Sequence, residues 1–230
     1  MSIKNIIVDN GGVLSDPKTG YWFLTPNFWN IIKLDDVSVD SLRIAMKKNI
    51  SMLTQEPKTE LEEYYMFSNF YYQVLKDINY KNISYEIANS LARDCVYNDD
   101  KYMFYDDVDI ELERYSKKYD LYIITDAWPS SSRVFNNRDI SKYFKSIMIS
   151  SLESKSKVEG LFEIFLKKNT NIIPEESIFI DDREENLEKA KHCEFHVLLM
   201  DRNYKYTDSE YIIIHELSDI EEMIDSFKMR

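Results

Sequence analysis

Residues 3–14 of the chain read IKNIIVDNGGVL, and this segment decides the predicted fold. Its short apolar run with β-branched residues is typical of a buried strand, and the paired glycines behind it predict a sharp loop. Asp9 is therefore predicted to lie at the carboxyl end of a central strand of an α/β sheet. Because open α/β folds bind their ligands at that end, Asp9 is a candidate nucleophile, metal ligand or both.

Length and composition indicate a soluble globular protein, either one domain or a core with an insertion. The 230 residues, 44% of them hydrophobic and 30% charged, suffice to bury about 70–75% of the surface that the unfolded chain exposes. The formal charge is −12 and there is no dense Lys/Arg run, which argues against a protein that binds nucleic acid along its backbone. An anionic substrate would need a local cation such as Mg²⁺.

The two cysteines, Cys95 and Cys193, match no zinc pattern. Buried free thiols in a reducing compartment are the favoured interpretation, although the sequence leaves a pairing open. No signal peptide is apparent, and no run approaches the roughly 18 apolar residues of a membrane span. We therefore expect a cytoplasmic protein that does not bind membranes.

Residues 17 to about 100 show helical periodicity and no convincing strand. A helix is predicted over about residues 38–53, a long one begins at Thr59, and Ser84 is typical of the N-cap of a third. This pattern predicts a helical domain inserted after the first strand. The expected division is a core of residues 1–16 and 101–230 with a cap of residues 17–100.

From about residue 107 helices and strands alternate, which favours an α/β fold with a doubly wound, parallel, Rossmann-like sheet. A helix is predicted from about Lys157, and Ser218 with Glu221 resembles a capping box for the last helix. The predicted strands after the first cover residues 121–125, 146–150, 177–182, 195–200 and 211–214.

Polar residues follow the predicted strands at their carboxyl ends. Because these ends share one edge of a parallel sheet, their side chains are expected to converge. Three carboxylates there would repel one another without a cation, and their hard oxygens suit Mg²⁺. A hydroxyl and an ammonium beside the metal are what the oxygens of a phosphoryl group need. The converging residues are Asp9, Thr125, Lys157, Asp181 and Asp182.

These motifs resemble those of the haloacid dehalogenase superfamily, mostly Mg²⁺-dependent phosphatases that form an aspartyl-phosphate. The resemblance covers the core and rests on VDNGGVL at 8–14, IITD at 123–126, Lys157 ahead of a helix, and IDDREEN at 180–186, in that order. Each motif alone is weak, but four in order are strong. The resemblance also implies that residues 17–100 are a helical cap over the active site.

By position, the resemblance implies that Asp9 is both the nucleophile and a Mg²⁺ ligand, and that Gly11 offers its backbone carbonyl to the metal. Thr125 and Lys157 would hold the phosphoryl oxygens, with Lys155 as an alternative to Lys157. Further positions complete the implied site: Asp182 with Asp181 on the metal, and Gly12 and Asp126 beside the substrate.

Gly11 departs from the family pattern, because typical phosphatases carry there a second Asp that protonates the leaving group and later activates water. Such acid–base help is usually worth roughly 10²–10⁴ in rate. Substrates with good leaving groups, such as anomeric sugar phosphates, acyl phosphates or aryl phosphates, should suffer least from its loss. Asp126 or Asp16 is a candidate replacement.

The expected function is thus a Mg²⁺-dependent phosphomonoester hydrolase acting on a small phosphorylated metabolite. A metal-independent dehalogenase and a catalytically degenerate binding or regulatory protein are the alternatives. Simpler interpretations also exist: Asp9 as a turn former, Thr125 as a strand residue, the acidic pair as a helix start, and Lys157 as a surface lysine. The cap aromatics Tyr21, Trp22, Phe28 and Trp29, and the histidines His192, His196 and His215, are more often structural than functional.

Overall fold

A computed structural model of the protein describes residues 2–32 and 37–228, with side chains up to Ile224. Its main sheet has six parallel strands in the order β5-β4-β1-β6-β7-β8, with β1 in the middle. The predicted doubly wound parallel sheet is therefore confirmed. Its strands are β1 Asn5–Val8, β4 Asp120–Thr125, β5 Phe144–Ile149, β6 Ser177–Asp181, β7 His196–Met200 and β8 Ile213–Ile214.

Helices cover both faces of this sheet, because successive residues of a strand point to opposite sides. Ile6 and Val8 pack on one face against α5, α6 and α10, and Ile7 packs on the other against α8 and α9. All four residues of β1 are buried, as its apolar run predicts. The core helices are α5 Val108–Ser116, α6 Ser130–Asn137, α7 Ser150–Glu153, α8 Leu161–Lys168, α9 Glu184–His192 and α10 Ile220–Lys228.

The helical insertion is confirmed and has a hydrophobic core of its own. The long helix begins after Thr59 and Ser84 caps the next one, both as predicted, and a capping box between Thr59 and Glu62 opens the long helix. The helix predicted over 38–53 is shorter, because α2 ends at Lys48 and a separate 3₁₀ turn follows at Ile50–Met52. The helices are α1 Phe28–Ile31, α2 Val39–Lys48, α3 Glu60–Asp77 and α4 Tyr85–Tyr97. The residue numbers of the domain boundaries stay a prediction.

A second, two-stranded antiparallel sheet was not predicted. Strand β2, Ser15–Pro17, leads into the insertion, and β3, Tyr102–Phe104, leads out of it. Ser15 pairs with Phe104 and Pro17 with Tyr102. Three-residue strands are too short to show an alternating pattern, so the sequence does not indicate them.

Three local predictions were wrong. Lys157–Glu159 is a 3₁₀ turn, and α8 begins only at Leu161. The last capping box joins Glu216 and Asp219, not Ser218 and Glu221, because a 3₁₀ turn precedes α10 and takes its own cap. The strand predicted over 211–214 is limited to Ile213–Ile214, which pairs with the end of β7.

Cys95 and Cys193 are both free thiols, and Cys95 is buried. Over the described ranges, no helix combines the length and the apolar character needed to cross a membrane.

Candidate active site

The register of the sheet places Asp9 beside Asp181. Val8 pairs with Ile123 on one side and Ile180 on the other, and the Asp9 amide donates to the Ile180 carbonyl at 2.9 Å. Asp9 thus leaves β1 where Asp181 ends β6, and Thr125 ends β4 on the opposite side of β1. The carboxyl-end convergence expected from the sequence is what the strand order produces.

Lys157 places a buried positive charge at the carboxyl-end edge of the sheet. Its side chain is buried, and its Nζ lies 2.9 Å from Asp9 Oδ2 and 2.5 Å from Asp181 Oδ2. Asp126 fixes the segment, because its Oδ1 accepts a hydrogen bond from the Lys157 backbone amide at 2.9 Å. Burial acts to lower the pKa of Lys157, but the carboxylates of Asp181 and Asp9 outweigh it and the pKa is raised. Lys155, in contrast, is exposed.

Asp181 is fully buried, and each of its two oxygens accepts two hydrogen bonds. Its Oδ1 accepts from the Arg183 amide at 2.9 Å and from Asn186 Nδ2 at 3.0 Å. Its Oδ2 accepts from Lys157 and, at 3.1 Å, from Asn186 again. Asp181 is therefore held by the first turn of α9 and in turn orients the lysine. Asn186 is a site residue to which the sequence assigned no role.

Asp182 is brought into the site by the absence of a side chain at Gly12. Gly12 has a φ of +72°, and a β-carbon on it would lie 2.5 Å from the Asp182 carboxyl carbon. One oxygen each from Asp9, Asp181 and Asp182 lie within 4.8 Å of one another. Asp9 Oδ1 is buried without a hydrogen-bond partner among the described residues.

Negative charge exceeds positive charge in this cluster. Burial, followed by the neighbouring Asp9 carboxylate, raises the pKa of Asp182 to about 6. Burial also raises the pKa of Asp181 and of Asp126, against the opposing effect of Lys157. A divalent cation would relieve this repulsion. The clustered carboxylate oxygens of Asp9, Asp181 and Asp182 fit Mg²⁺, which prefers a few carboxylates together with waters.

The two candidates for a replacement acid–base group differ in their surroundings. Asp126 lies beside Lys157 and accepts its amide hydrogen bond through Oδ1. Asp16, in β2, accepts the hydroxyl hydrogen bond of Tyr105. An acid–base role for either carboxylate stays a prediction.

Trp22 is the cap aromatic that reaches the site. Its ring atoms are the three nearest atoms to the point where a β-carbon on Gly11 would stand, at 3.6 to 4.0 Å. Tyr21, Phe28 and Trp29 instead belong to the insertion's own core. No pattern in the sequence separates Trp22 from its neighbours, because all lie in one aromatic-rich segment.

The histidines are engaged in structural contacts. His192 Nδ1 lies 2.7 Å from the Glu188 carbonyl and His196 Nε2 lies 3.0 Å from the Glu175 carbonyl. The ring of His215 stacks on Tyr204 with centroids 4.2 Å apart.

Hydrogen bonds connect the helical insertion to the core next to the candidate site. On α3, the buried Glu63 accepts hydrogen bonds from the Ser130 amide at 2.8 Å and the Ser130 hydroxyl at 2.7 Å. Trp128 Nε1 donates to the Thr54 carbonyl at 2.9 Å. These contacts join the insertion to the start of α6 and to the loop between Thr125 and α6, and the sequence did not indicate them.

No protein-family model matches the sequence, and no curated protein is similar to it in sequence. Solved structures are similar in fold. A magnesium-bound structure of YfnB from Bacillus subtilis, named as a HAD-hydrolase, covers 98% of this chain and 100% of its own at a TM-score of 0.72 and 13% identity.

The chain has the haloacid dehalogenase fold. A 2-haloacid dehalogenase from Pseudomonas syringae matches 98% of this chain and 99% of its own, at a TM-score of 0.68 and 14% identity. A HAD phosphatase from Thermococcus onnurineus matches 96% and 98%, at 0.64 and 16%. Dehalogenases and phosphatases thus share the fold, so the fold does not distinguish the two reactions.

Proposed function

We propose that the protein is a Mg²⁺-dependent phosphatase that hydrolyses a small phosphorylated metabolite through an aspartyl-phosphate on Asp9. The observation that carries this proposal is the environment of the Asp9 carboxylate. Its Oδ2 is bound by Lys157, its Oδ1 is buried without a partner, and it lies in one cluster with Asp181 and Asp182. A nucleophile with one oxygen fixed and the other free is suited to in-line attack.

In the first step Asp9 Oδ1 attacks phosphorus, and the bond to the leaving oxygen breaks with its electron pair remaining on that oxygen. In the second, water attacks the phosphorus of the aspartyl-phosphate and releases phosphate and the free carboxylate. Lys157 and Thr125 hold phosphoryl oxygens, and Asp126 and Asp181 keep Lys157 in place. Mg²⁺, held by Asp9, Asp182 and the Gly11 carbonyl with Asp181 beside them, supplies positive charge to the phosphoryl oxygens when bound.

A dehalogenase is the second candidate, and Gly11 favours it. Displacement of halide by Asp9 would need no acid at this position, because halide leaves as a stable anion. Against it stands Asp182, since a reaction without a metal gives no reason to place this further carboxylate beside Asp9. A binding protein without activity is the third candidate.

One experiment separates the three candidates. Phosphate release from 4-nitrophenyl phosphate and chloride release from 2-chloropropionate are measured with purified protein, with Mg²⁺ and with EDTA. We expect phosphate release that requires Mg²⁺ and is lost in Asp9→Asn. Chloride release in EDTA would favour the dehalogenase, and neither product would favour the binding protein. Activity that persists in Asp9→Asn would mean that another residue or a contaminant is responsible.

A further inference from the structure

The indole ring of Trp22 lies next to the position that a side chain on Gly11 would occupy. The backbone of Gly11 lies outside the left-handed region, so backbone conformation does not require glycine there. A β-carbon would lie 3.6 Å from Trp22 Cζ2, an ordinary van der Waals distance. Alanine would therefore fit, whereas a longer side chain would compete with the indole ring for space. The ring occupies the place that a larger residue at position 11 would use.

The ring of Trp22 is packed against a neighbouring ring, but its indole N–H makes no hydrogen bond with the described residues. Its ring contacts the ring of Tyr102 in β3, with centroids 5.3 Å apart at 58°. The side chain is half-buried. No residue in the described ranges accepts a hydrogen bond from its indole N–H, and Nε1 lies 3.9 Å from the point of the Gly11 β-carbon. The Nε1 atom is not fully buried, so this donor is open to water and available to a ligand.

We propose that Trp22 contacts the leaving group of the substrate and selects a phosphate carried by an acidic, planar group, namely an aryl or acyl phosphate. This inference rests on the proposed phosphatase function and names its substrate class. An indole N–H can donate a hydrogen bond to the leaving oxygen, but it does not release its proton at neutral pH. The electron pair of the broken bond therefore stays on that oxygen, which departs as a phenolate that water can protonate later or as a carboxylate that stays ionised. The flat indole favours a planar group packed against it.

Two variants separate the functions of the ring and the N–H. Trp22→Phe keeps an aromatic ring and removes the donor, and Trp22→Ala removes both. Trp29→Phe is the matched control, because Trp29 packs against Phe28 inside the insertion. Binding of phenylphosphonate and methylphosphonate, neither of which is hydrolysed, is measured by calorimetry. Turnover is measured with 4-nitrophenyl, phenyl and acetyl phosphate, and with glycerol phosphate as the alkyl ester.

We expect wild-type protein to bind phenylphosphonate at least about tenfold more tightly than methylphosphonate, as one aromatic contact allows. Trp22→Ala should reduce this ratio to about twofold or less, while Trp22→Phe and the control keep it. Trp22→Phe should lower turnover of the aryl and acyl phosphates by roughly tenfold, the value of one hydrogen bond to a developing charge. Glycerol phosphate should be a poor substrate of the wild-type protein and of the two Trp22 variants. The double variant Gly11→Asp/Trp22→Ala should gain activity on it, and Gly11→Asp alone should not.

The outcomes distinguish failure of this inference from failure of the proposed phosphatase function. Mg²⁺-dependent phosphate release with an unchanged phenyl-to-methyl ratio in Trp22→Ala overturns the inference and leaves the function standing. So does wild-type turnover of glycerol phosphate as fast as that of phenyl phosphate. Absence of turnover on every phosphate, together with absence of phosphonate binding, overturns the function and the inference with it.

Discussion

The Asp182 carboxylate lies where a side chain on Gly12 would begin. A β-carbon on Gly12 would be 2.5 Å from both Cγ and Oδ2 of Asp182. We expect Gly12→Ala to displace this carboxylate and to weaken Mg²⁺ binding by at least about tenfold, as loss of one charged ligand contact does. The measurement is the rise in melting temperature as Mg²⁺ is added.

Gly20→Ala is the control for Gly12→Ala. Gly20 has a φ of +78°, similar to that of Gly12, but no atom lies within 4 Å of its β-carbon position. Both variants should lose about 1 kcal/mol of stability or more from backbone strain, whereas only Gly12→Ala should change the Mg²⁺ response. Equal Mg²⁺ responses in the two variants would show that contact with Gly12 does not set the position of Asp182.

Lys157 should contribute more to stability than a surface lysine does. It neutralises the buried carboxylates of Asp9 and Asp181, and removing one partner of a buried ion pair costs about 3–5 kcal/mol. We expect Lys157→Met to lower the free energy of unfolding in urea by that amount at pH 7. Lys155→Met, at an exposed position two residues away, should change it by less than about 0.5 kcal/mol. A smaller loss in Lys157→Met than in Lys155→Met would contradict the ion-pair description.

Mg²⁺ should stabilise the folded protein through the cluster of Asp9, Asp181 and Asp182. A ligand that binds only the folded state at a hundred times its dissociation constant adds about 2.7 kcal/mol. We expect this gain in thermal or urea unfolding of wild-type protein and its loss in Asp182→Asn. Stabilisation of the variant to the same extent as wild type would locate the ion elsewhere.

Glu62 and Glu63 are neighbours on α3 that should respond to pH in opposite directions. Burial raises the pKa of Glu63 even though Ser130 donates two hydrogen bonds to it. Its folded state binds the proton more tightly than the unfolded state, so its contribution to stability is lost as pH rises from its ordinary pKa of 4.5 through the raised value. Hydrogen bonds from the Lys58 and Thr59 amides lower the pKa of Glu62, so its contribution is present above pH 4.5 and lost as pH falls.

These opposite pH dependences are checked by measuring the free energy of unfolding of Glu63→Gln and Glu62→Gln between pH 3 and pH 9. Relative to wild type, Glu63→Gln should gain stability as pH rises, and Glu62→Gln should lose it. Curves that shift in the same direction for both variants would contradict the assignment of Glu63 as the buried link between insertion and core.

The core of the fold was predictable because its signals are local. The strand β1 is buried on both faces, so it appears in the sequence as a run of consecutive apolar residues, Ile6 to Val8, directly before Asp9. The same holds for Ile180 and Asp181 at the end of β6. Once strand ends are known, parallel topology brings their polar residues together, and this part of the site follows without coordinates.

The remaining features depend on contacts between residues distant in sequence. Trp22 meets Gly11, and Glu63 meets Ser130, only after the insertion folds back on the core. Lys157 precedes α8 through a 3₁₀ turn whose position is set partly by the Asp126 carboxylate, 31 residues earlier. Such a contact leaves no periodicity or motif in the sequence, because it does not depend on the residues next to either partner along the chain.

The pairing of β2 with β3 has a consequence for how this architecture can change. Ser15 pairs with Phe104. The chain between them therefore leaves the core and returns to it at the same place. A segment with adjoining ends can be lengthened, shortened or exchanged while the rest of the chain keeps its course. Under the proposed function, replacing the segment between these two strands would change the surface that faces the substrate and leave Asp9, Thr125, Lys157 and Asp182 in place.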